Sequence, residues 1–492
     1  MDNFTYIGRK TNEISFPLGG IGSGCIGLAG NGRLIDWEIF NRPNKGSLNG
    51  MSHFAVKAEH QGELVDARIL QGDLPPPYMG EMANAKFNSG FGWGPRRENV
   101  AGMPHFREHS FTGTFPTAKI DFGGEDKFPG QVSLHAWSPF IPSNDYDSSL
   151  PGAFFEIELT NTAETPLDYT VVGALSNPFG RKKNLNEAVK DEKSVNEVVK
   201  YDNFSQLTLS KAGQSPDAAE FGNLTLSVDA ESEAVSFQEY WYRGGWCDDL
   251  EIYWQDLTTP GRFENRTYTE GTQTGHTGRD TGHLAVHFKL KPGERRRVRF
   301  VITWHVPNCR NYWRTDEAYA QRIADAGLEN QWQNWYATQW DDSADSGRYA
   351  LENGQRLHEG TMKFRDAIFN SDLPPVALEA ISANLATLKS PTCLRLEDGT
   401  FYGWEGVGTD AGSCEGSCTH VWNYAQALPF LFPALERSMR TANYKYCVDD
   451  IGGSHFRLLL PLGIKAERND FRFKCVCHQF ILSNSPSSLA RI

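Results

Sequence analysis

The chain has 492 residues and a formal net charge of −13, and 39% of its residues are hydrophobic. This acidic balance argues against nucleic acid or an anionic membrane surface as the main partner, because both attract clustered Lys and Arg. No apolar run approaches the roughly 20 residues that span a bilayer, so the sequence predicts no integral membrane segment and leaves a carbohydrate or glycolipid partner open.

A glycine-rich stretch near the N-terminus contains a formal G-x-G-x-x-G at Gly22, Gly24 and Gly27. A dinucleotide site needs this motif to follow a strand and to open a helix. The next residues, 31–40, instead alternate in polarity like a strand. Glycines that allow tight turns between strands are therefore the better interpretation.

Residues 1 to about 335 read as β-rich, with short alternating segments separated by Gly, Pro, Asn and Asp. The clearest pattern is a hairpin in which strands 284–290 and 295–304 flank a turn at 291–294. Two further strands are predicted at 153–160 and 167–175. Many such strands in one region indicate a sandwich of two sheets.

The periodicity becomes helical after about Trp340. One helix is predicted over 345–370, and Pro374-Pro375 opens a second. A third covers roughly 419–440, and Pro429 and Pro433 must kink or break it. The second helix is predicted to bury one face, formed by Leu378, Ile381, Leu385 and Leu388.

The run Tyr402-Gly-Trp-Glu-Gly406 places Glu405 among aromatic residues just ahead of the third helix. A carboxylate in such surroundings suits a glycosidase nucleophile, since aromatic rings cover the apolar faces of a sugar. Trp404 or Tyr402 could stack on the substrate, and Gly406 would allow its close approach. A surface glutamate on a turn is the structural alternative.

Five stretches of this sequence resemble glycoside hydrolase family 116, the family of non-lysosomal glucosylceramidases and bacterial β-glucosidases. They follow the family order over nearly the whole chain: 16–44, 300–305, 340–365, 391–393 and 402–437. The resemblance implies an N-terminal β-sandwich over 1–340, followed over 341–492 by part of an (α/α) six-hairpin toroid. It also implies retaining hydrolysis of β-glucosides.

Carried over by position, the family nucleophile falls on Glu405, and Glu415 is the competing candidate if the alignment slips in this glycine-rich loop. The resemblance also places His420 near the sugar, where some relatives carry an aspartate. His455 corresponds to a sugar-binding histidine of relatives. With Trp404 and Tyr402, these two histidines are the predicted substrate-binding residues.

The family's general acid/base is an aspartate in a Thr-aromatic-Asp motif, well over a hundred residues beyond the nucleophile. This sequence ends 87 residues after Glu405, and its last part, from about 471, is atypical of the family. We therefore expect an incomplete toroid, an acid/base beyond the end of this sequence and impaired activity. A non-catalytic carbohydrate-binding or structural remnant is the alternative function.

Two groups of cysteine and histidine residues hold enough soft ligands for zinc: Cys414, Cys418 and His420, and Cys475, Cys477 and His478. Their spacing is unusual for a zinc site. The total of nine cysteines is odd, and the N-terminus lacks a basic segment followed by an apolar one. The sequence thus predicts a cytoplasmic protein with free thiols, no metal and no cofactor, and it leaves the oligomeric state open.

Overall fold

Two antiparallel sheets packed face to face form the largest part of the protein. The structure is a computed structural model, and it describes residues 4–74, 100, 102–123, 127–179, 194–242, 248–268, 280–413, 424–448, 453–455, 457–464 and 472–473. The first nine strands are β1 (Thr5–Ile7), β2 (Ser15–Gly19), β3 (Cys25–Ala29), β4 (Leu34–Glu38), β5 (His53–His60), β6 (Glu63–Ile69), β7 (Glu108–Thr114), β8 (Thr117–Gly123) and β9 (Gly130–Trp137). The next are β10 (Gly152–Asn161), β11 (Leu167–Ser176), β12 (Ser194–Lys200), β13 (Phe204–Lys211), β14 (Asn223–Asp229), β15 (Val235–Gln238), β16 (Thr281–Leu290) and β17 (Arg295–His305).

The later strands are short and occur in pairs: β18 (Asn308–Arg310) with β19 (Gln331–Gln333), β20 (Cys393–Arg395) with β21 (Phe401–Gly403), and β22 (Ser454–His455) with β23 (Arg472–Phe473). The helices are α1 (Asp145–Ser148), α2 (Asp248–Thr258), α3 (Glu317–Asp325), α4 (Ser343–Glu352), α5 (Gly354–Phe369), α6 (Pro375–Ala386), α7 (Leu428–Leu431) and α8 (Pro433–Cys447). Short 3₁₀ turns include Thr387–Lys389 and Tyr424–Gln426.

The larger sheet has nine strands in the order β1-β7-β8-β9-β10-β17-β14-β13-β12, and the smaller has five in the order β15-β16-β11-β5-β6. Aromatic side chains interlock between them: the Phe54 ring lies 5.1 Å from that of Phe155 and 5.6 Å from that of Phe300. Gly173 leaves room for this contact, because a Cβ there would lie 3.0 Å from the Phe300 ring. The two-sheet sandwich predicted for the N-terminal region is thus present.

The predicted hairpin is wrong, although both of its strands exist. β16 pairs with β11 and β15 in the smaller sheet, whereas β17 pairs with β10 and β14 in the larger one. The turn at 291–294 therefore crosses from one sheet to the other, as does the connection between β10 and β11. Alternation fixes which face of a strand is apolar, but it does not choose the partner strand. Crossing sets the two apolar faces against each other.

A small three-stranded sheet, β2-β3-β4, carries the glycine-rich stretch. Gly22 and Gly24 adopt φ values of +74° and +82° in the turn between β2 and β3. The expectation of glycines in tight turns followed by a strand is confirmed.

The helical predictions are correct in type and partly wrong in their limits. The first predicted helix is two, α4 and α5, which break at Asn353 with φ −101° and ψ 4°. The first residues of the third predicted helix, 419–423, lie outside the described residues. Its described part breaks at Phe432, as expected ahead of Pro433, since the residue before a proline avoids the α conformation. α6 begins at Pro375 and buries Leu378 and Leu385, but Ile381 is 36% exposed, so its buried stripe is narrower than predicted.

Helix α4 packs on the outer face of the nine-stranded sheet through small and polar side chains. The Thr303 hydroxyl donates to the Ser343 carbonyl at 2.6 Å, and the Gln206 amide donates to the Ala344 carbonyl at 2.9 Å. A Cβ at Gly347 would lie 2.7 Å from the Ser227 hydroxyl. The start of the helical region is therefore packed onto the sandwich.

Candidate active site

A short β-hairpin sets the position of Glu405. β20 and β21 pair with Cys393 opposite Gly403, and the Trp404 N–H continues the ladder by donating to the Thr392 carbonyl at 2.9 Å. Glu405 is the first residue beyond this bond and is half-buried. The chain then turns back, and a bridge between Val407 and Gly412 closes a small loop. The carboxylate thus lies at the base of a loop whose first residue is fixed to the ladder.

Two glycines of this loop are required by packing within the protein. A Cβ at Gly403 would lie 2.3 Å from the Tyr424 hydroxyl, which donates to the Trp404 carbonyl at 2.6 Å. A Cβ at Gly412 would lie 2.2 Å from the Trp404 indole. Gly406, by contrast, faces open space. The close approaches at Gly403 and Gly412 are therefore made by the chain's own aromatic residues.

Trp404 and Tyr402 are interior residues, each 1% exposed. The Trp404 ring lies edge-on to Trp313 at 4.6 Å, and the Tyr402 hydroxyl donates to the Leu458 carbonyl at 3.1 Å. In this arrangement both rings pack the hairpin against its surroundings and present no open face. Their stacking on a sugar stays a prediction.

Glu405 lines an open cleft of about 410 Å³ between the three-stranded sheet and the end of α6. The loop supplies one wall, the sheet a second, and the segment from α6 to β20 a third. The lining residues are Ser15, Pro17, Cys25, Gly27, Asp36, Glu38, Lys45, Ala383, Ala386, Thr387, Ser390, Thr392, Glu405, Gly406 and Val407. A cleft of this size falls in the usual range for small-molecule sites.

A β-bulge brings two further carboxylates to this cleft. The pairing of β3 with β4 shifts register between Cys25 and Gly27, and Asp36 has a left-handed φ of +48°. Its carboxylate accepts hydrogen bonds from the Ser15 hydroxyl and the Gly46 N–H, both at 2.6 Å. Bulges re-aim side chains beside functional sites, and here the bulged residue itself lines the cleft.

Glu38 lies at the end of the same strand and is fully buried. It accepts hydrogen bonds from the Lys45 ammonium at 2.8 Å and from the Asn44 N–H at 3.1 Å. The Cys25 thiol lies 3.5 Å from it as a third donor. This set of donors holds the buried carboxylate in place.

Lys45 is the cation of the cleft wall, with 38% of its side chain exposed. Burial opposes its charge, but the hydrogen bond to Glu38 and the charge of that residue outweigh burial and raise the pKa of Lys45. Burial and the nearby Glu38 raise the pKa of the Cys25 thiol well above its ordinary value. Lys45 therefore stays an ammonium and Cys25 a thiol at neutral pH.

The backbone of the same turn also holds the Glu405 loop. The Lys45 N–H donates to the Thr409 carbonyl at 2.8 Å, near the tip of the loop. The loop is thus held at its base by Thr392 and at its tip by Lys45, in the turn that follows β4.

The remaining predicted residues lie elsewhere. His455 is half-buried in β22, opposite Arg472 of β23, and is not among the cleft-lining residues of the described part. Glu415, His420 and both Cys/His groups lie outside the described residues. Within the described ranges, no cluster of three or more metal-ligating side chains is present. In the same part of the chain, no helix is both long and apolar enough to cross a membrane.

A larger opening of about 640 Å³ lies beside β6 and is lined by Arg68, His105 and Asp73 among others. Its charged groups are engaged with one another or with neighbours: Arg68 pairs with Asp66 at 2.9 Å, and His105 with Asp73 at 2.7 Å. The smaller cleft at Glu405 is therefore the better candidate site.

Sequence reasoning missed Asp36, Glu38 and Lys45 as parts of the site. The available signal was two carboxylates in a short strand, at 36 and 38, followed by a lysine at 45 in the next turn. Alternation alone did not reveal them, because the bulge at Asp36 interrupts it.

The family of the chain follows from a match over more than two thirds of its length. Residues 15–357 match the family model described as beta-glucosidase 2, glycosyl-hydrolase family 116 N-term. The chain belongs to glycoside hydrolase family 116. The match includes the sheet β2-β3-β4 and ends within α5.

Solved structures give only distant similarities. A family GH92 alpha-mannosidase from Bacteroides thetaiotaomicron is 9% identical, with 82% of this chain and 42% of that chain covered and a TM-score of 0.28. The GH92 family glycosyl hydrolase ccman5 is 12% identical, with 90% and 48% covered and a TM-score of 0.34. The chain spans between 32% and 42% of the length of the first three solved structures that it matches.

Proposed function

We propose that this protein is a retaining β-glycosidase acting on β-glucosides, of the β-glucosidase or glucosylceramidase type, with Glu405 as its nucleophile. In this proposal residues 1–340 form the sandwich domain, and the helices from α4 onward begin an (α/α) toroid. One observation carries the proposal: the half-buried Glu405 lines an open cleft in a chain of family 116.

The chemistry needs an ionised, well-aimed carboxylate. Glu405 would attack the anomeric carbon, the bond from that carbon to the leaving oxygen would break, and a glycosyl-enzyme ester would form. Water would then cleave the ester and restore the carboxylate. An acid/base about 5 to 5.5 Å from the nucleophile protonates the leaving oxygen and later activates the water. The ties of the loop to Thr392 and Lys45 support the aiming of Glu405.

The charges around the cleft support the same assignment. Asp36 and Glu38 accept hydrogen bonds from several donors, and Lys45 lies 2.8 Å from Glu38 and 3.8 Å from Asp36. Lys45 thus places a positive charge between these two carboxylates in the wall of the cleft that Glu405 also lines. We therefore assign Lys45 an electrostatic role in the proposed site.

Covalent trapping tests the nucleophile directly. A 2-deoxy-2-fluoro-β-glucoside with a dinitrophenyl leaving group should label the protein once, and peptide mass spectrometry should place the label on Glu405. Glu405→Gln should abolish labelling and lower the hydrolysis of aryl β-glucosides by at least about 10³-fold. Asp410→Asn, an exposed carboxylate of the same loop, is the matched control and should change neither.

Other outcomes of this experiment have distinct meanings. A label on Glu415 would replace Glu405 as the nucleophile. Binding of glucosides without turnover or labelling, unchanged in Glu405→Gln, would reject the enzyme and favour a carbohydrate-binding protein.

A leaving-group series tests whether a general acid assists Glu405. Without a general acid, alkyl glucosides should lose roughly 10² to 10⁴ in rate, whereas dinitrophenyl glucosides, whose leaving group needs no proton, should lose far less. A rate that depends little on the leaving-group pKa would show that an acid is present.

A further inference from the structure

We infer that Lys389 is a positioning residue of the Glu405 cleft: its buried side-chain amine joins the wall formed by the α6–β20 segment to the wall formed by the three-stranded sheet β2-β3-β4. The inference deepens the proposed function, because it makes the β-rich region a structural part of the same cleft. Its first test does not depend on turnover.

Among the described residues, the hydrogen bonds of the Lys389 side chain are made with the β-rich region. The residue is fully buried, and its Nζ donates to the carbonyls of Gly19 at 2.8 Å, of Ser148 at 3.2 Å and of Pro139. These acceptors come from three segments: the end of β2, the end of α1 and the loop after β9. Burial lowers the pKa of Lys389, whereas three carbonyl acceptors favour its ammonium form, which has one N–H group for each of them.

The surroundings make these hydrogen bonds consequential. Nζ lies 5.5 Å from the Phe140 ring, in an apolar cluster shared by Ile21 and Phe140 of the sandwich and Leu388 and Phe401 beyond it. Burying an unpaired ammonium there would be very unfavourable, and removing it withdraws a donor from three buried carbonyls. The buried lysine is therefore stable only when the α6–β20 segment is packed against the carbonyls of Gly19, Pro139 and Ser148.

The residues around Lys389 lead directly to the cleft. Thr387 and Ser390 line it, and the Ser390 hydroxyl donates to the Thr392 hydroxyl at 2.9 Å. The Thr392 carbonyl in turn accepts the Trp404 N–H, one residue before Glu405. On the other side Gly19 ends β2, the strand whose Ser15 and Pro17 line the opposite wall. Lys389 thus fixes the distance between both walls.

The chain offers a matched control in Lys57, which is 1% exposed. Its ammonium donates to the carbonyls of Thr259 at 3.0 Å and Gly261 at 2.6 Å and lies 3.2 Å from Glu59. It joins β5 to the segment after α2 and is not among the cleft-lining residues of the described part. Lys57→Met removes the same kind of buried lysine without touching the cleft.

Thiol labelling followed by residue-level mass spectrometry provides the test. Cys25 lines the cleft, Cys393 lies four residues beyond Lys389, and Cys309 lies away from the junction; all three are buried free thiols. In Lys389→Met, labelling of Cys25 and Cys393 should accelerate at least about tenfold while Cys309 stays slow. Lys57→Met and Lys389→Met are compared at the same free energy of unfolding. In Lys57→Met, Cys25 and Cys393 should keep the wild-type labelling rate.

Two results would overturn the inference. One is equal acceleration at all three cysteines, which means general destabilisation; the other is an effect at Cys25 and Cys393 no larger than that of Lys57→Met. If Lys389→Met does not fold, Lys389→Gln, which keeps one amide donor group, is measured against the same criteria.

Kinetics separate this inference from the proposed function. If the wild type hydrolyses aryl β-glucosides, Lys389→Met should lower kcat/KM at least about tenfold through kcat, since displacement of a nucleophile impairs chemistry more than binding. Lys57→Met should stay within about twofold. If the wild type has no turnover, the proposed function fails, and the labelling result alone decides the role of Lys389.

Discussion

The sandwich and the cleft are held together in different ways. The sandwich is stabilised by many apolar contacts between two broad sheets, so the position of each strand depends on several independent contacts. The cleft is assembled from short segments: a bulged sheet, a 3₁₀ turn, a three-residue hairpin and a small loop. A few hydrogen bonds of Lys389, Lys45 and Thr392 join these segments.

This difference separates stability from function. Damage to the sandwich core should lower the global free energy of unfolding. Damage at the cleft should leave most of the fold intact and displace Glu405. The predictions below test that division, beginning with the largest expected effect.

Phe300→Ala should lower the free energy of unfolding by about 3 to 5 kcal/mol, because it removes a ring packed between the sheets. Denaturant unfolding measures the change. The control Phe430→Ala removes a ring that is 67% exposed and should stay within about 0.5 kcal/mol of the wild type. Similar losses in both variants would contradict the assignment of the core.

Acid should weaken the sandwich specifically. Burial lowers the pKa of His53 to about 4, so the unfolded chain binds more protons between about pH 6.5 and pH 4. The contribution of this residue, about 3 kcal/mol, is complete above pH 6.5 and is lost as the pH falls to about 4. Burial also lowers the pKa of the neighbouring His283, to about 3.

Urea unfolding at pH 7, 5.5 and 4 measures this dependence. His53→Gln should reduce the slope of stability against pH by up to one proton. The cleft-lining residues of the described part include no histidine, so Glu405 labelling kinetics should not show the same transition. An unchanged slope in His53→Gln would refute the assignment.

Gly412→Ala should displace the Glu405 loop, since its Cβ would overlap the Trp404 indole. We expect a loss of about 1 to 3 kcal/mol together with a change in tryptophan fluorescence and in labelling of Glu405. Gly406→Ala adds the same methyl group where space is open and should be nearly neutral. Equal behaviour of the two variants would contradict the packing described for Trp404.

Lys45→Met should lower the free energy of unfolding by about 1 to 3 kcal/mol, because buried Glu38 loses its cation although it keeps the Asn44 N–H as a donor. Lys289→Met removes a lysine from an exposed pair with Asp168 at 3.2 Å and should change stability by no more than about 0.3 kcal/mol. Urea unfolding of both variants at low and high salt checks the difference. A larger loss in Lys289→Met would reverse the comparison.

Sequence reasoning was most successful where the pattern is local. It predicted the strands 284–290 and 295–304, the helix that begins at Pro375 and the break before Pro433. It paired the two strands wrongly, because sheet assignment depends on distant partners. It missed the helix break at Asn353, where α4 ends. The next residue, Gly354, lies close to the sheet: a Cβ there would be 2.9 Å from the Arg299 guanidinium.

The candidate site shows the same division. The motif around Glu405 identified the proposed nucleophile, and the family match over 15–357 agrees with the resemblance on which that choice depended. The sequence did not predict the bulge at Asp36 or the burial of Glu38, because both depend on how β4 pairs with β3. It also did not predict the three acceptors of Lys389, which lie more than 200 residues away in the sequence.

By itself the sequence determined the family, the β-rich and helical regions and the choice of Glu405. Periodicity and short motifs are local properties, so they can be read from neighbouring residues. Only the tertiary structure decided that the three-stranded sheet β2-β3-β4 supplies a wall of the cleft, because a lysine at 389 meets carbonyls at 19, 139 and 148 only after the chain has folded.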